Sequence, residues 1–274
     1  MTGTGTAAFA AVDEHADPGA LIGFLDRTRN LPGLRAAKTD AVEALRLRPG
    51  HRVLDIGCGT GEDAIEMARR VAPDGLVIAI DTSTVMLREA RRRVGASKVP
   101  VQVRAGDGAQ LRAGTGSVDA CRADTLLQHL TDPAAAIAEI ARVTRPGGRI
   151  AVLDFDQDST VIDHPDTDTT TRLRAQLTQA AACGRAGRSL RRWLADAALA
   201  EITVRTRFVD TDFPLLQRLL APATAALRAS GDVPAETLDR WWATLAELWR
   251  SDRFYAGACA VSASATVPGA PQAG

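Results

Sequence analysis

Short apolar runs alternate with stretches of helical periodicity between residues 45 and 156. The apolar runs predict five strands, over residues 53–56, 76–80, 101–104, 118–122 and 149–154. The stretches between them predict helices, over residues 62–71, 83–93 and 133–144. Regular alternation of strands and helices indicates an open α/β sheet, in which ligands bind at the carboxyl ends of the strands.

Three glycines, Gly57, Gly59 and Gly61, follow the first predicted strand and its Asp55. Glycine adopts backbone torsions that other residues avoid, and without a side chain it lets a ligand approach the main chain. In a dinucleotide fingerprint the third glycine or alanine comes five positions after the first. That position is Glu62 here. Nicotinamide dehydrogenases are therefore the weaker interpretation.

The shorter G-x-G-x-G, preceded by Asp55, resembles motif I of the class I S-adenosylmethionine-dependent methyltransferases, of the Rossmann-like, small-molecule type. The Arg-Pro-Gly-Gly turn at 145–148 resembles their post-motif turn, and the resemblance covers roughly residues 45–156. It implies a doubly wound, seven-stranded, mostly parallel α/β sheet with an antiparallel last strand. It also implies S-adenosyl-L-methionine as the cofactor and methyl transfer to a small-molecule acceptor, of secondary metabolism or quinone-like.

Acidic residues at strand ends extend the predicted cofactor site. Asp81 ends the second strand, 24 residues beyond Gly57, where an acid can accept both ribose hydroxyl protons. The resemblance assigns Asp107 to the adenine amino group, although either acid alone could be an N-cap or a turn residue. The predicted cofactor contacts are Arg35, Asp55, Gly57, Gly59, Gly61, Asp81, Thr82, Met86, Gly106, Asp107, Gly108 and Arg122.

The segment after the fourth strand carries the candidate catalytic residues, His129 and Asp124. A histidine titrates near neutral pH and suits a general base, which matters only when the acceptor must lose a proton. The alternative is a histidine that only shapes the loop. Asp124 and Arg122 could line either the methionine part of the cofactor or the acceptor.

The resemblance also predicts the domain plan. Residues 1–47 form an N-terminal arm with helices over the cofactor, residues 48–266 form the methyltransferase domain, and residues 267–274 form a disordered tail. Residues 1–17 should fray as well. A helix over 189–199 and strands over 201–209 and 254–265 complete the sheet. Helical insertions near 160–186 and 212–252 form a substrate lid, for which His164, Trp241 and Tyr255 are the candidate substrate contacts.

Composition narrows the function classes. Lys plus Arg equals Asp plus Glu at 33 each, so a nucleic-acid-binding surface is not expected. The four cysteines are scattered and no secretory signal or membrane-spanning run is visible, which favours a cytoplasmic protein without membrane partners. A homodimer stays open. The acids of the Asp-Phe-Asp-Gln-Asp run at 154–158 could hold Mg²⁺, but no Asn partner follows, and we expect no metal.

Two other function classes remain open at this point. A protein of this fold can bind the cofactor and catalyse cyclisation or decarboxylation instead of methyl transfer. A non-catalytic partner subunit is the other alternative, against which the intact glycine loop, Asp81 and Asp107 argue.

Overall fold

The computed structural model describes residues 6–269. Its strands within these residues are β1 (Arg52–Ile56), β2 (Leu76–Asp81), β3 (Val101–Ala105), β4 (Val118–Asp124), β5 (Thr144–Ile162), β6 (Ala200–Asp210) and β7 (Ala256–Thr266). Its α-helices are α1 (Pro18–Thr28), α2 (Pro32–Ala44), α3 (Glu62–Val71), α4 (Thr84–Ser97), α5 (Pro133–Val143), α6 (Thr167–Ala180), α7 (Ala186–Asp196), α8 (Phe213–Ser230) and α9 (Ala235–Arg250). Shorter 3-10 turns occupy Thr6–Glu14 and Leu127–His129.

The strands form one sheet in the order β3-β2-β1-β4-β5-β7-β6. Strands β1 to β5 run parallel to one another, whereas β7 runs antiparallel to both β5 and β6. Helices cover both faces, because successive residues of a strand point to opposite sides. Val53 packs into the cluster beneath α2 and α3, and Leu54 packs into the cluster beneath α5 and α7. The predicted seven-stranded fold with an antiparallel last strand is confirmed.

Strand β5 is much longer than the sequence pattern indicates. Prediction started it at Arg149 and ended it at Asp154, but the strand runs from Thr144 to Ile162. The Arg-Pro-Gly-Gly turn lies inside it, as an irregularity opposite β4. A second irregularity separates Asp156 from Val161 in the pairing with β7. Beyond that point the same strand contributes Ile162 to the apolar cluster of α6, α8 and α9. A single strand therefore connects the sheet to the lid helices.

The N-terminal segment is ordered where fraying was predicted. Val12 is buried, and the Asp13 carboxylate accepts hydrogen bonds from the first backbone amides of α4, from Thr84 N (2.8 Å) and Val85 N (3.2 Å). Those amides have no partner inside the helix, so a carboxylate there satisfies them. At the other end, Val267 is tied to the 147–148 turn through Gly147 N (2.8 Å). The rest of the two predicted tails, residues 1–5 and 270–274, lies outside the described residues.

None of the helices within residues 6–269 is long and apolar enough to cross a membrane.

Candidate functional site

A cavity of about 320 Å³ opens at the carboxyl ends of β1, β2 and β4. The glycine loop forms one wall, with Gly57 at φ +69° and Gly59 at φ +52°. The loop is anchored from β2, because Cys58 N donates to Ile80 O (2.9 Å) and Gly59 N donates to the Asp81 carboxylate (2.9 Å). Gly57, Gly59, Asp81, Thr82, Met86 and the 106–108 turn all line this cavity. The structure thus brings together most of the predicted cofactor residues.

The three loop glycines have different roles. A Cβ on Gly59 would meet only Leu25 Cδ1, at 3.5 Å, so this position lies open toward the cavity. A Cβ on Gly61 would approach Ala90 Cβ to 3.1 Å, and Gly61 does not line the cavity. Gly61, which was predicted as a cofactor contact, therefore allows α3 and α4 to pack closely, at φ +87°, and takes no part in lining the cavity.

Asp81 connects the glycine loop to the start of α4. One carboxylate oxygen accepts from Gly59 N and the other from Ser83 N, both at 2.9 Å. Burial raises the pKa of Asp81, while these two amides favour its ionised form. A carboxylate oxygen can accept more than one hydrogen bond, so Asp81 keeps acceptor capacity toward the cavity.

The turn after β3 forms the opposite wall. Asp107 is exposed in the cavity, and its carboxylate accepts from Ala109 N (2.8 Å). Gly106 and Gly108 fit closely against the sheet: a Cβ on Gly108 would lie 2.9 Å from Ile56 Cγ2. Because they have no side chains, these glycines let the turn pack directly against Ile56 and Ile80.

A buried cluster of charges forms the floor beneath the loop. The Arg122 guanidinium pairs with Asp55 (3.1 Å), Asp63 (2.8 Å) and Asp124, and Lys38 pairs with Asp63 (2.7 Å) and Asp124. Burial raises the pKa of Asp55 to about 6 even though Arg122 opposes the shift. Lys38 and Arg122 keep the pKa of Asp63 far below its usual range against the effect of burial. The cluster holds Lys38, Arg122, Asp63 and Asp124 rigid, because removal of any one of these four would leave an unpaired buried charge.

This cluster contains two of the predicted cofactor residues, Asp55 and Arg122, of which only Arg122 lines the cavity. Asp55 is fully buried and does not line the cavity, so it supports the floor from below. Arg122 reaches the floor, but its side chain is only 3% exposed and three carboxylates hold it. Its position fixes the acids rather than presenting a free cation to a ligand. Asp124, the second predicted catalytic residue, does line the cavity, and its Oδ1 is buried without a hydrogen-bond partner.

Arg35, also predicted as a cofactor contact, is exposed and lies outside the cavity. Lys38, one helical turn later on α2, faces the cavity instead, and Arg29 lines it from the end of α1. The signal was available in the sequence. Arg35 is one residue from the buried Leu34, whereas Lys38 follows Leu34 by four residues and therefore lies on the same face of the helix as Leu34.

His129 lies in the cavity wall, at the end of the short turn after β4. Its ring centroid is 6.3 Å from that of Phe9, which comes from the N-terminal segment. Burial lowers the pKa of His129 to about 4. The imidazole is therefore neutral at physiological pH and can accept a proton, but as a weaker base than a free histidine.

The three predicted substrate residues lie outside the cavity. Trp241 is 1% exposed and donates from Nε1 to Thr170 Oγ1 (2.9 Å), so it belongs to the core of the lid. His164 stacks on Trp241 at 4.9 Å, with Nδ1 accepting from Asp166 N (2.9 Å). Tyr255 is half exposed and stacks on Phe208. All three side chains therefore pack against other parts of the protein instead of lining the cavity.

Apolar side chains of the lid line the far end of the cavity, a feature that sequence reasoning did not assign to particular residues. Leu177 comes from α6 and Leu215, Leu216 and Leu219 come from α8. Polar groups are few at this end: Gln157 donates to Gln128 (3.0 Å), and Thr160 and Thr211 lie nearby. This arrangement suits a ligand that is mainly apolar and carries one or two polar atoms.

The acids of the 154–158 run have other partners. Asp154 is buried and accepts from Leu127 N (2.9 Å), and burial together with Asp124 raises its pKa well above the usual value. It thereby fixes the turn that carries His129. Asp156 pairs with Arg188, and Asp158 pairs with both Arg188 (3.1 Å) and Arg185 (3.2 Å).

The amino-acid sequence matches the family model described as a methyltransferase domain over residues 53–148. It is 38% identical over 225 residues to an uncharacterized 37.1 kDa protein in transposon TN4556 of Streptomyces fradiae, which covers 80% of this chain and 65% of that protein. It is also 38% identical over 115 residues to a demethylmenaquinone methyltransferase of Beutenbergia cavernae, covering 42% of this chain and 45% of the relative. The chain thus spans less than two thirds of the length of either relative.

Among solved structures, the YcgJ protein of Bacillus subtilis matches with a TM-score of 0.63 at 17% identity, covering 86% of this chain and 100% of that one. At this identity the likeness shows a shared fold. The glycine loop and Asp81 lie within the matched residues 53–148. Residues 53–148 therefore carry a methyltransferase domain, within a fold that the chain shares with this solved structure.

Proposed function

We propose that this protein binds S-adenosylmethionine at the glycine-loop end of the cavity and methylates a mainly apolar small molecule held beneath α6 and α8. One observation carries the proposal: the glycine loop, the Asp81 carboxylate and the apolar lid face a single cavity. The methyl group of a sulfonium ion is already activated. The protein therefore has to supply alignment and exclusion of water.

The residues present fit the cofactor. Gly59 leaves the space that an adenosyl group needs beside the main chain, and Asp81 has acceptor capacity left for ribose hydroxyls. The orphaned Oδ1 of Asp124 would accept a hydrogen bond from the α-ammonium group of the methionine part. Arg29, whose nearest acid is Asp63 at 3.9 Å, is the cation available to its carboxylate.

The acceptor end of the cavity supports a quinone-like or other apolar aromatic acceptor. Leucines from two lid helices exclude water there, and Gln128 and Gln157 offer a few polar atoms that could orient a carbonyl or hydroxyl group. The demethylmenaquinone methyltransferase among the relatives points the same way. His129 is neutral and lies in the same wall, so it can take the proton that a phenol-type acceptor loses.

Calorimetry with S-adenosylhomocysteine tests the cofactor end. Asp81→Ala should weaken binding at least about tenfold, because it removes charge-assisted hydrogen bonds worth roughly 1.5 to 3 kcal/mol each. Asp158→Ala, which removes an acid outside the cavity, should bind like wild type. Equal affinity of all three proteins would refute the cofactor site.

Transfer of isotopically labelled methyl from S-adenosylmethionine to a panel of naphthoquinols and phenols tests the acceptor end. Leu216→Arg should abolish transfer while cofactor binding persists, because a charged side chain would enter the apolar end. Absence of label on every naphthoquinol and phenol of the panel would contradict the proposed acceptor. Conversion of a substrate without label transfer would instead support a cyclisation type of reaction.

A further inference from the structure

A second cavity, of about 240 Å³, lies between α2 and the strands β5, β7 and β6. It meets β5 at Arg149, where the pairing with β7 begins, whereas the cofactor cavity meets the same strand at Phe155 and beyond. The two cavities therefore open near opposite ends of the sheet and share no lining residue. The proposed methyl transfer makes no use of the second one.

Two arginines that face this second cavity differ in whether they have an acidic partner. Arg149 is well held, donating to Ala44 O (3.1 Å) and to Glu201 (3.0 Å), with its side chain only 12% exposed. Within residues 6–269 the side chain of Arg46 has no ion-pair or hydrogen-bond partner. It lies close to Arg149, whose pKa is lowered first by burial and then by repulsion from Arg46. Two neighbouring guanidinium groups with only one of them paired favour an anion between them.

Hydroxyl groups complete the same wall. Ser262 and Ser264 are each 6% exposed, and in the part of the chain that the structure describes neither hydroxyl has a hydrogen-bond partner. On the neighbouring strand Thr203 pairs with Ser264 and Arg205 pairs with Ser262, so their side chains share the cavity face. Both hydroxyl oxygens keep contact with the open space of the cavity, so they are available to donate to a ligand there.

Acids near the cavity do not cancel its positive charge. Asp40 is paired with both Arg205 (3.2 Å) and Arg207 (2.9 Å), and Glu201 is paired with Arg149. Glu43 is exposed at the rim. In this region of the described chain four guanidinium groups therefore face three carboxylates, and the one that lacks a partner is Arg46.

We propose that this cavity binds a phosphate group, with Arg46 and Arg149 as its cationic partners and Ser262, Ser264 and Thr203 as hydroxyl donors. Phosphate oxygens accept several hydrogen bonds in different directions, which matches donors on three strands and a helix end. The cavity reaches the surface at Arg46, so either inorganic phosphate or the phosphate of a monoester has access.

Calorimetry and thermal unfolding in inorganic phosphate, compared with sodium chloride at equal ionic strength and pH, test this site. Phosphate should raise the Tm of the wild type in a saturable manner, as expected for a ligand of the folded state. Arg46→Gln and Ser264→Ala should each weaken phosphate binding at least tenfold. Arg48→Gln removes an exposed arginine two residues away, outside the cavity, and should bind phosphate like wild type.

Ser264→Ala separates binding from folding, because it removes only an unpartnered hydroxyl. Its Tm in chloride should equal that of the wild type, while its gain from phosphate is reduced. Tighter binding of glycerol 3-phosphate than of inorganic phosphate would identify a monoester as the ligand, and the reverse would identify the free ion. Equal effects on all four proteins, or a rise in Tm that never saturates, would overturn the site.

Discussion

Replacing Asp55 by Asn should make the protein more stable at alkaline pH without weakening cofactor binding. The carboxyl group is fully buried, one oxygen pairs with Arg122 at 3.1 Å and the other has no partner. Burial raises its pKa from 3.8 to about 6. An acid whose pKa is raised on folding contributes stability below pH 3.8, and this contribution is lost as the pH rises through about 6.

The size of the effect follows from this shift. Each pKa unit corresponds to about 1.4 kcal/mol, so ionisation of Asp55 costs the folded protein about 3 kcal/mol in total, of which about 2 kcal/mol falls between pH 4.5 and 8. Asn keeps the shape of the protonated acid and cannot ionise. The free energy of unfolding of Asp55→Asn, minus that of the wild type, should therefore rise by about 2 kcal/mol over this range.

Urea unfolding of both proteins at several pH values gives this difference, with Asp119→Asn as a matched control. Arg145 and the Arg52 amide lower the pKa of Asp119 against its partial burial, so its contribution changes only below pH 3.8 and its difference curve should be flat. Parallel curves for Asp55→Asn and wild type would refute the account of the buried floor. A tenfold loss of affinity for S-adenosylhomocysteine would restore Asp55 as a cofactor contact.

Three further predictions concern other parts of the cavity. Because burial lowers the pKa of His129 to about 4, the wild-type kcat should be flat between pH 6 and 8. His129→Ala should lower kcat about 10²-fold or more with unchanged cofactor affinity. A mutant with full turnover would exclude the role of His129 as a base. Gly61→Ala should destabilise the protein by about 1 to 3 kcal/mol more than Gly50→Ala in urea unfolding, because both have positive φ but only Gly61 crowds Ala90. Asp13→Ala should expose the 6–14 segment to limited proteolysis, since the carboxylate caps α4; unchanged cleavage would contradict that anchoring.

The fold was predictable because its evidence is local. Each core strand of the 53–154 region is an apolar run bounded by a turn or an acid, and the helices between them have clear starts, such as Asp132 before Pro133. The long β5 was not predictable, because the residues after Asp154 include five consecutive polar residues, from Asp156 to Thr160, which match no strand pattern. They become a strand only through pairing with β7, about 100 residues later in the chain.

The cofactor end of the cavity was predictable for a similar reason, since glycines and strand-end acids carry their roles in short motifs. The charge cluster was not, because Lys38, Asp63 and Asp124 are distant in the sequence and meet only in the folded chain. Aromatic residues misled the prediction of the acceptor end. Trp241 fills the lid core, whereas aliphatic residues such as Leu216 line the cavity.

The position of β7 affects how this chain folds during synthesis. Among the strands within residues 6–269 it is the last to be made, yet it lies between β5 and β6. Until residues 256–266 have left the ribosome, β6 has no strand to join and the long edge of β5 stays open. Loop closure over such a distance is slow, so the nascent chain depends on its first five strands for partial order. The pairing of β7 with β5 and β6 therefore follows release of residues 256–266.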